Sequence, residues 1–327
     1  MQQKKLFLIA VLLGLFICAN VLVNGFVKKN AALPSKPIPK SFFTQAPRQK
    51  EIIIATVGDI GLGREINWQI QQRNDPTFPF QKTAEILKEA DLTIGNLEGP
   101  LVENCPLTRT GMKFCGNPKN TNGLVFAGFD LMNLANNHIN NYGPEGVEQT
   151  VKALDKHRID YFGLGKISYQ TIKGLKIAFL GFDDITQPVN EKKLIQEIQE
   201  AQNQAKFIII NFHWGIEYQG QPSERQKHLA HLAIDNGASL IIGHHPHVIQ
   251  PIEHYQNTPI IYSLGNFVFD QMWSQETRTG IIALITINNY QVKKVNLIPV
   301  LIQYYCQPRP IPEPEKSTII NRILPLQ

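Results

Sequence analysis

The sequence predicts an α/β fold in which two β-sheets pack face to face with helices outside. Three observations carry this. From Glu51, apolar strand-like runs alternate with helical periodicities, as in a largely parallel sheet. After His247, strand-like runs follow one another without helices, which predicts an antiparallel portion. Finally, five apolar runs end in short polar islands, as at the carboxyl rim of an open sheet.

In chain order, strands are expected near 52–57, 92–96, 130–135, 175–182, 206–211 and 239–242. Helices are expected near 79–90, 144–157, 190–204 and 222–236. Pro144 and Pro222 stand where a helix begins, and Gly237 where one ends. Further strands are expected over Pro259 to Leu264, Gly280 to Ile287 and Val292 to Leu301, the last two joined around Asn288-Asn289-Tyr290. The segment from Gln307 is a Pro-rich tail whose last residues are expected to wander. No internal repeat is visible.

The 327 residues, 43% hydrophobic, suffice for one large domain. The net charge of +5 suggests a polyanion partner, but its distribution argues otherwise. Residues 1 to 50 hold eight Lys/Arg and no Asp/Glu, which leaves 24 basic against 27 acidic residues in the remainder. That mildly acidic body has no basic run or aromatic platform, so nucleic acid is not an expected partner.

Leu6 to Val27 is an apolar stretch broken clearly only by Asn20 and Asn24, preceded by Lys4 and Lys5. It is long enough for a hydrocarbon core of roughly 30 Å, and no Ala-x-Ala cleavage site follows it. An uncleaved signal anchor, a transmembrane helix within residues 1–30, is the expectation. It puts the protein at the cell membrane as a single-pass chain with its body outside the cytoplasm. Lys28 and Lys29 blur the charge signal for that orientation. Residues 31–50, with Pro34, Pro37, Pro39 and Pro47, form a linker. The main domain is then 51–305, and 306–327 the tail. Cys105 and Cys115 flank a turn-rich loop, and the sequence leaves open whether they form a disulfide or stay two thiols.

The polar islands carry the chemistry. They are Gly58-Asp59, Asn96-Leu97-Glu98, Asn136-Asn137-His138, His213-Trp214-Gly215 and Gly243-His244-His245-Pro246-His247. Taken singly, Asp59, Glu98 and the asparagines are ordinary turn or cap residues, and a lone His213 or His138 is a packing residue. In the last island, three His in four residues exceed what packing requires. His245 and His247, one residue apart, can point into one site, with His213 arriving from another strand. Asp59 and Glu98 add carboxylates and Asn137 a neutral oxygen, a mixed N/O donor set for one or two divalent ions such as Mn, Zn or Fe. Arg64 is either a bidentate anion clamp or a helix-surface charge. Glu217 and Tyr218 shape the rim or support the ligands, and Asn266 lines the crevice or makes a turn. His157, His228, His231 and His254 fall in helical or peripheral stretches. No P-loop, dinucleotide fingerprint or Gly-x-Ser-x-Gly elbow is present in the sequence.

Read together, Thr56 to Arg64, Gly95 to Leu101, Leu134 to His138, Asn211 to Tyr218, Gly243 to His247 and Ser263 to Phe267 resemble the poly-γ-glutamate capsule protein CapA family. The resemblance covers about residues 51 to 290. It implies kinship with calcineurin-like metallophosphoesterases, and so a four-layer α/β/β/α sandwich with a two-metal site. Asp59 and His247 then resemble ligands of one metal, and Glu98 stands near the bridging carboxylate. Asn137, His213 and His245 resemble ligands of the second metal, with His138 as the neighbouring acid or phosphate-orienting group. There are departures. Gly61 stands where an imidazole is usual, Asn96 where an Asp is usual, and Asn140-Asn141 where an Asp often follows.

Two functional expectations follow. One is a membrane-anchored, metal-dependent hydrolase acting on a phosphoester or on an acidic polymer of the cell envelope. The other is a non-catalytic component that binds that polymer within a membrane synthase complex.

Overall fold

Strand β1, Ile52–Ile60, is buried along almost its whole length, which explains its nearly unbroken apolar sequence. In the computed structural model, which describes residues 50–324, β1 lies inside an eight-stranded sheet. It pairs in parallel with β2, Leu92–Leu97, which pairs with β3, Leu131–Asn133, and that in turn with β4, Asp160–Phe162. The second sheet opens with β5, Ser168–Ile172, antiparallel to β6, Leu175–Asp183. β7, Phe207–His213, and β8, Leu240–His244, continue it in parallel. β9, Ile252–Tyr255, and β10, Thr258–Ile261, complete it at the far edge. The chain then returns to the first sheet. β11, Asn266–Val268, pairs with the end of β1. β12, Thr279–Asn288, and β13, Gln291–Gln303, form the expected hairpin, and β14, Gln307–Pro310, is the edge strand.

Helices α1 (Arg64–Arg73), α2 (Ala84–Leu87), α3 (Thr121–Ala127) and α4 (Gly143–Lys156) precede β4. α5 (Glu191–Gln202) and α6 (Glu224–Asp235) belong to the second half, followed by the short α7 (Gln275–Arg278) and α8 (Glu315–Ile323). Three apolar layers show how they stack. Ile54, Ile94 and Ile285 of the first sheet meet Ile177, Ile209 and Ile242 of the second. Alternate residues Ala55 and Val57 face Ile66, Ile70, Leu124 and Leu154 from the first group of helices. Ala178, Ile208 and Ile241 face Leu194, Ile198 and Leu229 of α5 and α6. Both faces of each sheet are therefore covered, the four-layer arrangement expected.

Some expectations need correction. Within the tail 306–327, β14 extends the first sheet and Ile323 of α8 joins the layer between the sheets. The sequence gives no expectation for α1, α3, α7, β4, β5, β9 or β11, and the helix expected near 79–90 is a 3-10 turn, Phe78–Phe80, followed by the four-residue α2. Cys105 and Cys115 are joined in a disulfide, and Cys306 is free and buried. The apolar stretch 6–27 and the linker up to residue 49 lie outside the described residues. Among the described residues, no helix is long and apolar enough to cross a membrane.

Candidate metal centre

Parallel strands from both sheets end at one rim, and this brings the polar islands together. Asp59 sits near the end of β1, fully buried, and its backbone N–H donates to Gly265 O at 2.9 Å. That approach needs glycine before it: a Cβ on Gly58 would stand 2.2 Å from Gly265 O. Asp59 Oδ1 accepts from Asn96 Nδ2 at 2.9 Å, and Asn96 Oδ1 accepts from Asn133 Nδ2 at 2.9 Å. Asp59, Asn96 and Asn133 are register partners on β1, β2 and β3, so the strand pairing builds this chain of two amides ending on a carboxylate.

From the second sheet, His244 Nδ1 lies 3.1 Å from Asp59 Oδ1, and the His245 backbone N–H donates to Asp59 Oδ2 at 3.2 Å. His247 Nδ1 is 3.2 Å from the same Oδ2 and 2.9 Å from Asn266 Oδ1. Its Nε2 is 3.7 Å from Glu98 Oε1, and His138 Nε2 is 3.9 Å from that oxygen. His213 Nε2 meets Asn137 Oδ1 at 3.0 Å, and its ring centroid is 4.9 Å from that of His245. Asp59, Glu98, Asn137, His138, His213, His245 and His247 thus share one rim.

Electrostatics follow from burial. Desolvation alone would raise the Asp59 carboxyl, but hydrogen bonds to His244 and His247 hold it well below its ordinary range. Burial opposes charge on His247, yet Glu98 and Asp59 beside it push its imidazole up to about 9. Glu98 is raised to about 8 by burial, with His247 counteracting. Burial, then neighbouring His247, depresses His245 to about 3, and burial also lowers His138 and His213.

A cation fits these residues. Both oxygens of Glu98 are buried without a hydrogen-bond partner, and so is Nδ1 of His245. Unpartnered buried polar atoms are costly, and a bound cation is one means of satisfying them. Ligand atoms of Asp59, Glu98 and His247 lie within 4.8 Å of one another. Carboxylate and imidazole together suit a borderline divalent ion.

Arg64 is placed differently from the anion-clamp expectation. Its guanidinium binds Asp270 through Nε at 3.0 Å and Nη2 at 2.6 Å, with the Phe114 and Phe269 ring centroids 4.4 and 5.3 Å from its central carbon. Its fork is committed within the protein. At Gly61, a Cβ would stand 3.0 Å from the Phe269 ring, so an aromatic face lies where a side chain would emerge. Sequence reasoning passed over His244, Asn133 and Asp270. His244 stood within the His-rich island, but nothing local marks Asn133 or Asp270. The remaining histidines behave as anticipated: His231 pairs with Glu253 at 2.7 Å and His228 with Glu191 at 3.1 Å.

A two-sheet α/β sandwich with a histidine–carboxylate centre at its carboxyl rim is the class that fold and site define. A solved structure of a hypothetical protein from Thermus thermophilus shares the fold, with TM-score 0.52 and 14% identity over 76% of this chain and 98% of that one. The family model for bacterial capsule synthesis protein PGA_cap matches residues 53–271, and the chain belongs to that family. It is 36% identical to the PGA biosynthesis protein CapA of Bacillus subtilis (strain 168), covering 73% of this chain and 67% of that protein. It is 35% identical to the capsule biosynthesis protein CapA of Bacillus anthracis over 72% of this chain, and spans 63% of that relative's length.

Proposed function

We propose that this protein serves the synthesis or export of an acidic envelope polymer of the poly-γ-glutamate type through a divalent-metal, hydrolase-type centre at the sheet rim. Family membership supports the process, because the relatives are named for capsule and PGA biosynthesis. One observation carries the chemistry: the buried, unpartnered Glu98 carboxylate gathered with Asp59 and His247. In this reading Asp59, Glu98 and His247 hold one ion, and Asn137, His213 and His245 extend the centre to a second. Such an ion, Mn, Zn or Fe, supplies Lewis acidity toward an anionic ester or amide and lowers the pKa of water. The chain does the rest. Asn96 and Asn266 orient Asp59 and His247, and His138 presents Nε2 beside Glu98 to accept or deliver a proton. Phe114 against the His138 ring, with centroids 4.5 Å apart, and Asn141 at Nδ1 fix that imidazole.

The apolar stretch 6–27 supports a membrane anchor. The Cys105–Cys115 disulfide supports a body outside the cytoplasm, where such bonds persist. A membrane synthase complex is the partner this reading implies.

A second reading, a polymer-binding component without catalysis, draws on Gly61, which stands where a ligand imidazole is usual and whose face is covered by Phe269. The two separate in one experiment. The purified full chain is assayed for bound metal and for hydrolysis of a generic phosphodiester and of γ-glutamyl polymer. In parallel, Asp59→Ala/His247→Ala is tested for polymer production in cells. Metal, turnover and loss of production together support the hydrolase; retained production with no turnover supports the binding component.

A further inference from the structure

We propose that Glu217 is itself a metal ligand, binding a divalent cation together with His245 and His247, so that the two histidines meet at one ion instead of serving separate ones. This rests on the reading that the rim binds divalent metal, and it extends the donor set beyond the islands that end strands. One carboxylate oxygen of Glu217 and one ring nitrogen each of His245 and His247 lie within 4.8 Å of one another. Independently, Nδ1 of His245, a residue only 5% exposed, has no hydrogen-bond partner. A buried imidazole held beside a carboxylate and a second imidazole is a donor set of the kind zinc and manganese take.

The loop that carries Glu217 is fastened to the loop that carries the histidines. Trp214 N–H donates to His244 O at 3.1 Å, and Tyr218 N–H to Pro246 O at 2.8 Å, so both sides of Glu217 are pinned to the His-rich segment. Gln250, just beyond that segment, donates to Gln219 O at 2.8 Å and Gln221 O at 3.1 Å. Gly215, at φ +85°, turns the chain over Gln226, where a Cβ would stand 2.5 Å from its side-chain oxygen. His245 and His247 also have positive φ, 94° and 56°, which non-glycine residues adopt at a cost. Gly61 offers no donor and Phe269 covers its face, so Glu217 supplies a carboxylate that the strand-end islands do not.

Titrating ZnCl2 and MnCl2 into the chelator-stripped full chain by calorimetry, with manganese also followed by electron paramagnetic resonance, tests this. For Glu217→Gln the expected result is loss of one bound equivalent, or affinity weaker by about tenfold or more. The melting temperature in chelator should be unchanged, and Glu217→His, which keeps a nitrogen donor, should recover zinc binding. Should the Gln variant not fold, Glu217→Asp carries the same test, with weaker binding expected from its shorter reach. Wild type and variant binding the same number of ions with equal affinity would overturn the proposal and leave the metal reading standing. No binding by the wild type would remove both.

Discussion

His247 Nδ1 lies 3.2 Å from Asp59 Oδ2, joining the loop after β8 of one sheet to the end of β1 in the other. Both side chains are at most 2% exposed, so this pair ties the two sheets together at the rim. Removing one partner of such a pair strands the other. Asp59→Ala is expected to lower stability in chelator by about 3 kcal/mol. Urea unfolding followed by circular dichroism checks this, and a loss within experimental error would show that the pair does not bind the sheets.

Glu98 gives the opposite expectation. Its buried carboxyl group has no hydrogen-bond partner, which costs stability without a cation, and a bound cation is expected to offset that cost. In chelator, Glu98→Gln should be at least as stable as the wild type. With zinc or manganese at a hundred times its dissociation constant, the wild type should gain about 2.7 kcal/mol and the variant far less. Equal metal-induced shifts in melting temperature would exclude Glu98 as a ligand.

Arg64 and Asp270 should behave as a structural pair. Their side chains are 13% and 7% exposed, and the contact is bidentate. Arg64→Met alone should destabilise by about 3–5 kcal/mol, whereas Arg64→Met/Asp270→Leu should recover much of that loss. A double-mutant cycle in urea measures the coupling. If the double variant retains wild-type stability yet loses polymer production, Arg64 acts on substrate as well.

Acidity should loosen the junction between β4 and β5. Asp160 accepts from Lys166 Nζ and Ser168 Oγ, each at 2.6 Å, and from Gln170 Nε2 at 3.0 Å. Burial pushes its carboxyl up, but Lys166, Ser168 and the Tyr161 N–H outweigh this, and its pKa falls below the ordinary value. A depressed folded-state pKa means stabilisation present above the unfolded value, about 3.9, and lost as pH drops through the folded one. The side chain is 36% exposed, so solvent screening limits the effect to about 1 kcal/mol. Asp160→Asn should be less stable than wild type at pH 7, with the gap closing as pH falls below the unfolded value and through the folded one. A gap that persists in acid would assign the loss to packing instead.

Much of the fold was legible because burial writes itself into local pattern. β1, β2, β7 and β8 are buried on both faces, so their sequences are continuous apolar runs. α4, α5 and α6 show the periodicity of helices with one face on a sheet. Other elements had no such mark. α1 carries only Ile66, Trp68 and Ile70 among polar residues, and β4 is three residues long. β14 holds two prolines, tolerable because it is an edge strand.

The sequence by itself determined the alternation of strands and helices, the polar residues at the strand ends and the family to which the chain belongs. These are properties of neighbouring residues, set by period, by burial and by which side chains follow each strand. Only the tertiary structure decided that His244 grips Asp59, that Asp270 holds Arg64, that Glu98 is left without a hydrogen-bond partner and that Glu217 faces His245. Each of these depends on how two sheets align at their rim. That alignment is fixed by the packing of the apolar layer between the sheets and by close backbone approaches such as Gly58 to Gly265, and no short stretch of sequence encodes it.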